Sequence, residues 1–214
     1  MQAIKELKSA ARQSLSGKWG SGVLLCLAYV VLLIVIFVVL SLIMSPFTSD
    51  SDSLQEPFAV IILIIFLIAS LPLYWAFMVE FLNVARGNPC KAGNLFHGYN
   101  DFCRICGTML LQSIYTFLWT LLLIIPGIIK YYSYALTPYI LNDDSALSFN
   151  GAIDKSMAMM RGHKMDLFIL DLSFIGWYIL GCVTCDIGFL WIIPYWQTTR
   201  AHFYLDLKEQ QELQ

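Results

Sequence analysis

Asp171 and Arg200 are charged residues standing well inside long apolar runs of this 214-residue chain. A charge in a membrane-spanning helix costs roughly 2.5–3.5 kcal/mol on insertion scales, so it pairs, faces water or reaches toward the interface. Counted along their runs at 1.5 Å per residue, both fall at a depth of about 10 Å, which predicts that they meet. Glu80, Asp166 and His202 lie toward the same face. Together the five describe a polar pocket open to the cytoplasm, able to bind a headgroup or pass a proton or solute. The plainer reading is an ion pair that locks the last two helices together.

Other groupings carry weaker chemistry. Cys103 with Cys106, and Cys182 with Cys185, form two C-x-x-C pairs, a spacing that suits tetrahedral zinc. The pairs fall at opposite ends of their apolar runs, about a membrane apart, and cysteine also serves as a small apolar residue. Chemistry at Cys182 and Cys185 would be a disulfide on the oxidising side. Arg161, His163 and Lys164 close a segment of mixed polarity and could grip anionic lipid phosphates, or act as charges that set topology. His97 and Asp101 echo a general base with its orienting acid, but one turn apart they read as solvated surface. No phosphate loop, H-E-x-x-H or G-x-S-x-G motif occurs. No loop is long enough for a soluble catalytic domain, and no metal or cofactor is expected.

The elements that hold these residues follow from composition. The chain is 58% hydrophobic and 13% charged, with a mean hydropathy of +0.68, against about 25% charged in soluble domains. It is expected to be an all-α polytopic membrane protein. The near balance of 13 Lys and Arg against 15 Asp and Glu leaves no basic surface for nucleic acid. Spans are expected at about 23–44, 58–82, 107–125, 128–142, 165–183 and 187–207. Gly107 to Leu141 has only Lys130 as a charge, and as one helix it would far exceed the roughly 30 Å hydrocarbon core. Pro126 and Gly127 are the expected break.

Six spans place every basic residue except Lys130 on the inner side, with both termini cytoplasmic, as the positive-inside rule requires. Lys130 then snorkels to the outer interface beside Tyr131, Tyr132 and Tyr134. Each hairpin is expected to follow an amphipathic interfacial helix on the cytoplasmic side, at 3–16, about 94–104 and about 147–161. In the first, Ile4, Leu7, Ala11 and Leu15 form one stripe beside Lys5, Lys8 and Arg12. The threefold recurrence reads either as a repeat or as three unrelated amphipathic segments.

The run "GTMLLQSIYTFLWTLLLIIPGIIKYYSYALTPYILNDD", followed by "MMRGHK", "LSFIGW" and "FLWIIPYWQTTRAHFY", resembles the bacterial integral-membrane family catalogued as domain of unknown function 975. The resemblance is strongest from about Tyr99 onward. It implies a cytoplasmic-membrane protein of several helices and implies no activity. Three functional readings remain. The first is a non-enzymatic protein that organises lipids or a membrane partner, alone or as a homo-oligomer. The second is a small carrier or channel built on the Asp171 and Arg200 pocket. The weakest is a lipid-modifying enzyme relying on His97 or His163.

Overall fold

The computed structural model of the chain describes residues 3–48, 52–184 and 186–212. Among them the elements are α1 (Ile4–Leu15), α2 (Trp19–Thr48), α3 (Asp52–Ala85), a 3-10 turn (Ala92–Tyr99), α4 (Phe102–Leu122) and α5 (Ile124–Ser133). There follow α6 (Thr137–Asp143), α7 (Phe149–Met159), α8 (Lys164–Leu172), α9 (Ile175–Val183) and α10 (Phe189–Glu212). Four helical stretches are long and apolar enough to cross a membrane: Trp19–Ile43, Phe58–Ala85, Phe102–Leu122 and Lys164–Val183. The expected fourth span is split into α5 and α6, ten and seven residues long. The expected sixth, α10, carries Arg200, Asp206, Lys208, Glu209 and Glu212 along its length.

α2 and α3 form an antiparallel hairpin, with Tyr29 against Phe77 at 4.6 Å between ring centroids and Phe37 edge-on to Phe66 at 5.7 Å. The α3 half nearest its C-terminus is the spine of the core. Trp75, Ala76, Met78, Val79 and Leu82 pack there with Leu136, Tyr139, Ile140, Tyr195, Phe203 and Tyr204. A second cluster joins Leu25 and Cys26 to Phe77, Phe81 and Leu95.

The chain reverses at Leu123, whose extended backbone (φ −159°, ψ 137°) separates α4 from α5. This corrects the break expected at Pro126 and Gly127. Proline lacks an N–H, and the first turn of a helix has no intrahelical partner for that group, so α5 accommodates Pro126 there without a break. Gly127 has a different task. A Cβ at this position would lie 2.6 Å from Thr120 Cα, so glycine lets the return helix press directly onto α4.

The three amphipathic segments also differ from expectation. The stripe of α1 is turned inward, with Leu7, Ala11 and Leu15 at 0–1% exposure, against α10 and α3. α7 buries Ala152, Ile153, Ser156 and Met159 against α4 and α6. The segment around 94–104 is a 3-10 turn followed by the start of α4, and its Leu95 is buried in the second cluster. Amphipathic periodicity marks a boundary between polar and apolar phases without saying which apolar phase lies beyond it. Here that phase is protein.

Candidate functional site

Asp171 and Arg200 do meet. Asp171 sits one residue before the end of α8, and Arg200 in the middle of α10. Arg200 Nη2 lies 3.6 Å from Asp171 Oδ2, with side-chain exposures of 5% and 16%. Trp196 Nε1 donates to Asp171 Oδ1 at 2.8 Å. The Trp196 ring also lies under the Arg200 guanidinium, 4.7 Å from its centroid, a helical i, i+4 pairing that covers the cation with a π face. Tyr132 presents its hydroxyl to the same carboxylate, and Tyr131 stands 6.0 Å from the guanidinium. Aromatic rings thus seal the pair. Tyr139, within electrostatic reach of Arg200, has a buried hydroxyl without a hydrogen-bond partner, as have Gln197 Oε1 and Thr198 Oγ1 elsewhere on α10.

The remaining members of the expected pocket are engaged elsewhere. Glu80, 2% exposed, accepts hydrogen bonds from Asn83 Nδ2 at 3.0 Å, Lys91 N at 3.1 Å and Asn94 Nδ2 at 2.9 Å. Three N–H donors satisfy a buried carboxylate, and here they tie down the loop that follows α3. Asp166 faces His163 at 3.2 Å, and His202 shares a hydrogen bond with Ser14 at 2.9 Å. One expected cluster is therefore a pair and three separate contacts.

A second polar centre arises at the C-terminal end of α6. Asp143 binds Arg86 at 2.7 and 2.6 Å through its two oxygens, Lys208 Nζ at 2.6 Å and Tyr204 Oη at 2.8 Å. It joins the ends of α3, α6 and α10. Burial alone would raise the Asp143 pKa, but the hydrogen bonds from Arg86, Lys208 and Tyr204 outweigh it and hold the group at about 2. Asp143 and Lys208 also border a recess of about 250 Å³ shared with Asp144 and Lys155. This centre was not foreseen. Its signal was the "NDD" closing an apolar run, on the side that also collects Arg86 and Lys208.

The family model described as "Protein of unknown function (DUF975)" matches residues 1–136 and 121–211. The chain belongs to this family. No curated protein and no solved structure matches it.

In this DUF975 chain the other foreseen groups are dispersed. Cys103 is exposed and Cys106 buried, with the Cys106 thiol directed at the Ile68 carbonyl at 3.9 Å. Cys182 is exposed, and Cys185 lies outside the described residues. Among the described residues no three His, Cys, Asp or Glu side chains are grouped to hold a metal. His97 is exposed, and Asp101 pairs with Arg104 at 3.5 Å rather than with it. Arg161 is exposed, while His163 and Lys164 are half-buried where α8 begins. Lys164 borders an apolar groove of about 280 Å³ with Ile128, Ile129, Tyr132, Met165 and Phe168. Lys130 lies over the Trp119 ring at 4.9 Å, with Nζ 3.9 Å from Met157 Sδ of α7.

Proposed function

We propose that this protein is a non-enzymatic, multi-pass protein of the bacterial cytoplasmic membrane, with both termini cytoplasmic, that organises membrane lipids. The observation that carries the reading is a contrast in accessibility. The interior carboxylates are engaged from within: Asp171 by Arg200 and Trp196, Glu80 by three N–H donors, Asp143 by two cations and a hydroxyl. Much of the accessible surface is instead apolar, and Lys164 borders one such groove, with exposed Arg161 three residues before it. Such a surface suits acyl chains with anionic headgroups beside them.

A carrier or channel is the second reading, favoured by the unpartnered Tyr139 hydroxyl beside Arg200 and the unpartnered Gln197 and Thr198 oxygens of α10, since buried polar atoms ordinarily have partners. Native mass spectrometry of the gently solubilised protein separates the two. The wild type and an Asp171→Asn, Arg200→Gln double variant should retain the same anionic lipid in the same oligomeric state. A defined solute held by the wild type and lost from the variant would overturn the lipid reading in favour of the carrier. The positive-inside rule allows six crossings in three hairpins. It also allows fewer, provided each hairpin returns to the side it entered.

A further inference from the structure

Six crossings would bring the facing ends of α2 and α3, the turn at Leu123 and the turn around Asp186 to one outer surface. They do not share a level. Asp186 and Ile187 line a crevice of about 640 Å³ together with Cys26, Tyr29 and Val30 of α2 and with Tyr74 and Phe77 of α3. From Val30, α2 continues another 18 residues (30 to 48) to Thr48, about 27 Å at 1.5 Å per residue. The Asp186 turn therefore stops almost a full hydrocarbon thickness, roughly 30 Å, short of the end of α2. Were Asp186 at the far surface, the exposed Val31, Ile34, Phe37, Leu42 and Ile43 would stand in water beyond it.

The junction ahead of α4 independently stops short of the hairpin's far end, somewhat nearer to it than the Asp186 turn. Tyr99 Oη donates to the Ala69 carbonyl at 2.8 Å, and Cys106 reaches the carbonyl of Ile68. Exposed Asn100 and Asp101 thus sit beside a point 16 residues (52 to 68) from the start of α3, about 24 Å along the helix. Tyr29 and Tyr74 at the crevice and Tyr99 at the junction bracket this zone, as aromatic residues do at an interface. Beyond it, the described stretches 31–43 and 58–68 contain no charge.

The Leu123 turn points the same way. Lys130 touches Met157, and Ile128 and Ile129 share a groove with Lys164. The return from this turn therefore lies beside the basic segment that the charge rule assigns to the cytoplasm.

We propose that α2–α3 alone crosses the bilayer. The other helices form a body on its cytoplasmic side whose exposed apolar faces rest in the inner leaflet. Those faces are the α4–α5 turn, with Phe117, Leu121, Leu122, Ile124 and Ile125, and the α8–α9 surface, with Met165, Ile169, Ile175 and Ile179. Their partner is the acyl layer of that leaflet, with Arg161 and Lys164 at its headgroups. Every Lys and Arg, Lys130 included, then stays on the inner side, which satisfies the charge rule more fully than six crossings do. The inference rests on the lipid reading and adds the leaflet.

Single cysteines in a cysteine-free background test it, using spheroplasts treated with an impermeant maleimide before and after lysis. Ser51→Cys should react from outside. Ile187→Cys and Leu123→Cys should react only after lysis, or only in detergent, since either result places them short of the far surface. Outside labelling of Ile187→Cys equal to that of Ser51→Cys would overturn the proposal, and using Ile187 avoids disturbing Asp186, whose φ is +65°. A disulfide between two copies through Ile175→Cys would give that face to a second copy and overturn the leaflet assignment. Lipid retention in native mass spectra is read separately. Retained anionic lipid with outside labelling at Ile187 sinks only the topology, and lost lipid with inside labelling sinks only the lipid reading.

Discussion

The two ends of the α2–α3 hairpin have similar composition and different surroundings. Near the α3 C-terminus, Leu73, Phe81 and Leu82 are 0% exposed, whereas Val60, Leu63, Ile64 and Leu67 of the same helix are 51–54% exposed. The packed end meets α1, α4, α6 and α10, while at the far end Phe37 and Phe66 of the two hairpin helices meet each other. Polar residues mark the difference. Glu80, Asp143, Asp171 and Arg200 all belong to the packed end, where directed bonds from several helices converge on them. Apolar residues alone cannot tell lipid from protein interior, and a partnered charge can.

The largest expected effect lies in the packed end. Phe203, 0% exposed, should cost about 3–5 kcal/mol as Phe203→Ala, because its cavity cannot collapse among neighbours already in contact. Denaturant unfolding in a fixed detergent micelle measures it. A cost below about 1 kcal/mol would remove the distinction between the two ends.

Next comes the sealed pair. Asp171→Asn alone leaves a buried guanidinium without its counter-charge and should cost about 3 kcal/mol, the lower part of the range for broken buried pairs. Adding Arg200→Gln should recover part of that loss. A double variant as unstable as the sum of both singles would show that the two residues act independently.

Asp143 gives a pH dependence whose sign is fixed. Its folded pKa, about 2, lies below the ordinary 3.8, so the stabilisation is complete above about pH 4 and is lost as pH falls toward 2. The difference between wild type and Asp143→Asn should be about 2 kcal/mol at pH 7 and should shrink through that window. Thermal unfolding across pH 2–7 reads it, and a constant difference would mean that hydrogen bonding, not charge, holds the three helix ends.

These contrasts explain what was legible in the sequence. Asp171 and Arg200 were found because isolated charges at matched depth in neighbouring apolar runs have few alternatives to each other. Glu80, Asp166 and His202 share their side but not their contacts, because a common depth does not fix which way each side chain turns. Asp143 escaped notice because its three partners come from the ends of α3 and α10, remote in sequence. The apolar runs located the helices. The relative levels of the turns depend on how α10 and the 3-10 turn pack on α2 and α3, which no single run encodes. The split of α8 from α9 is likewise tertiary: Lys8 of α1 donates to the Ser173 carbonyl at 3.0 Å and lies 4.3 Å above the Phe174 ring.

The smallest expected effect, at the far end, sharpens the comparison most. Val38 is 46% exposed. In hydrocarbon its side chain is solvated by lipid tails whether or not the helices pack, so Val38→Ala forfeits only a few contacts and no transfer free energy. The change should stay within about 0.5 kcal/mol, as for surface positions generally, in the same micelle used for Phe203→Ala. A cost above about 1 kcal/mol would mean that Val38 is covered in solution. With its side chain half exposed in the single chain, such cover would point to a second copy, and the far end would then be an interface between protomers rather than a surface for lipid.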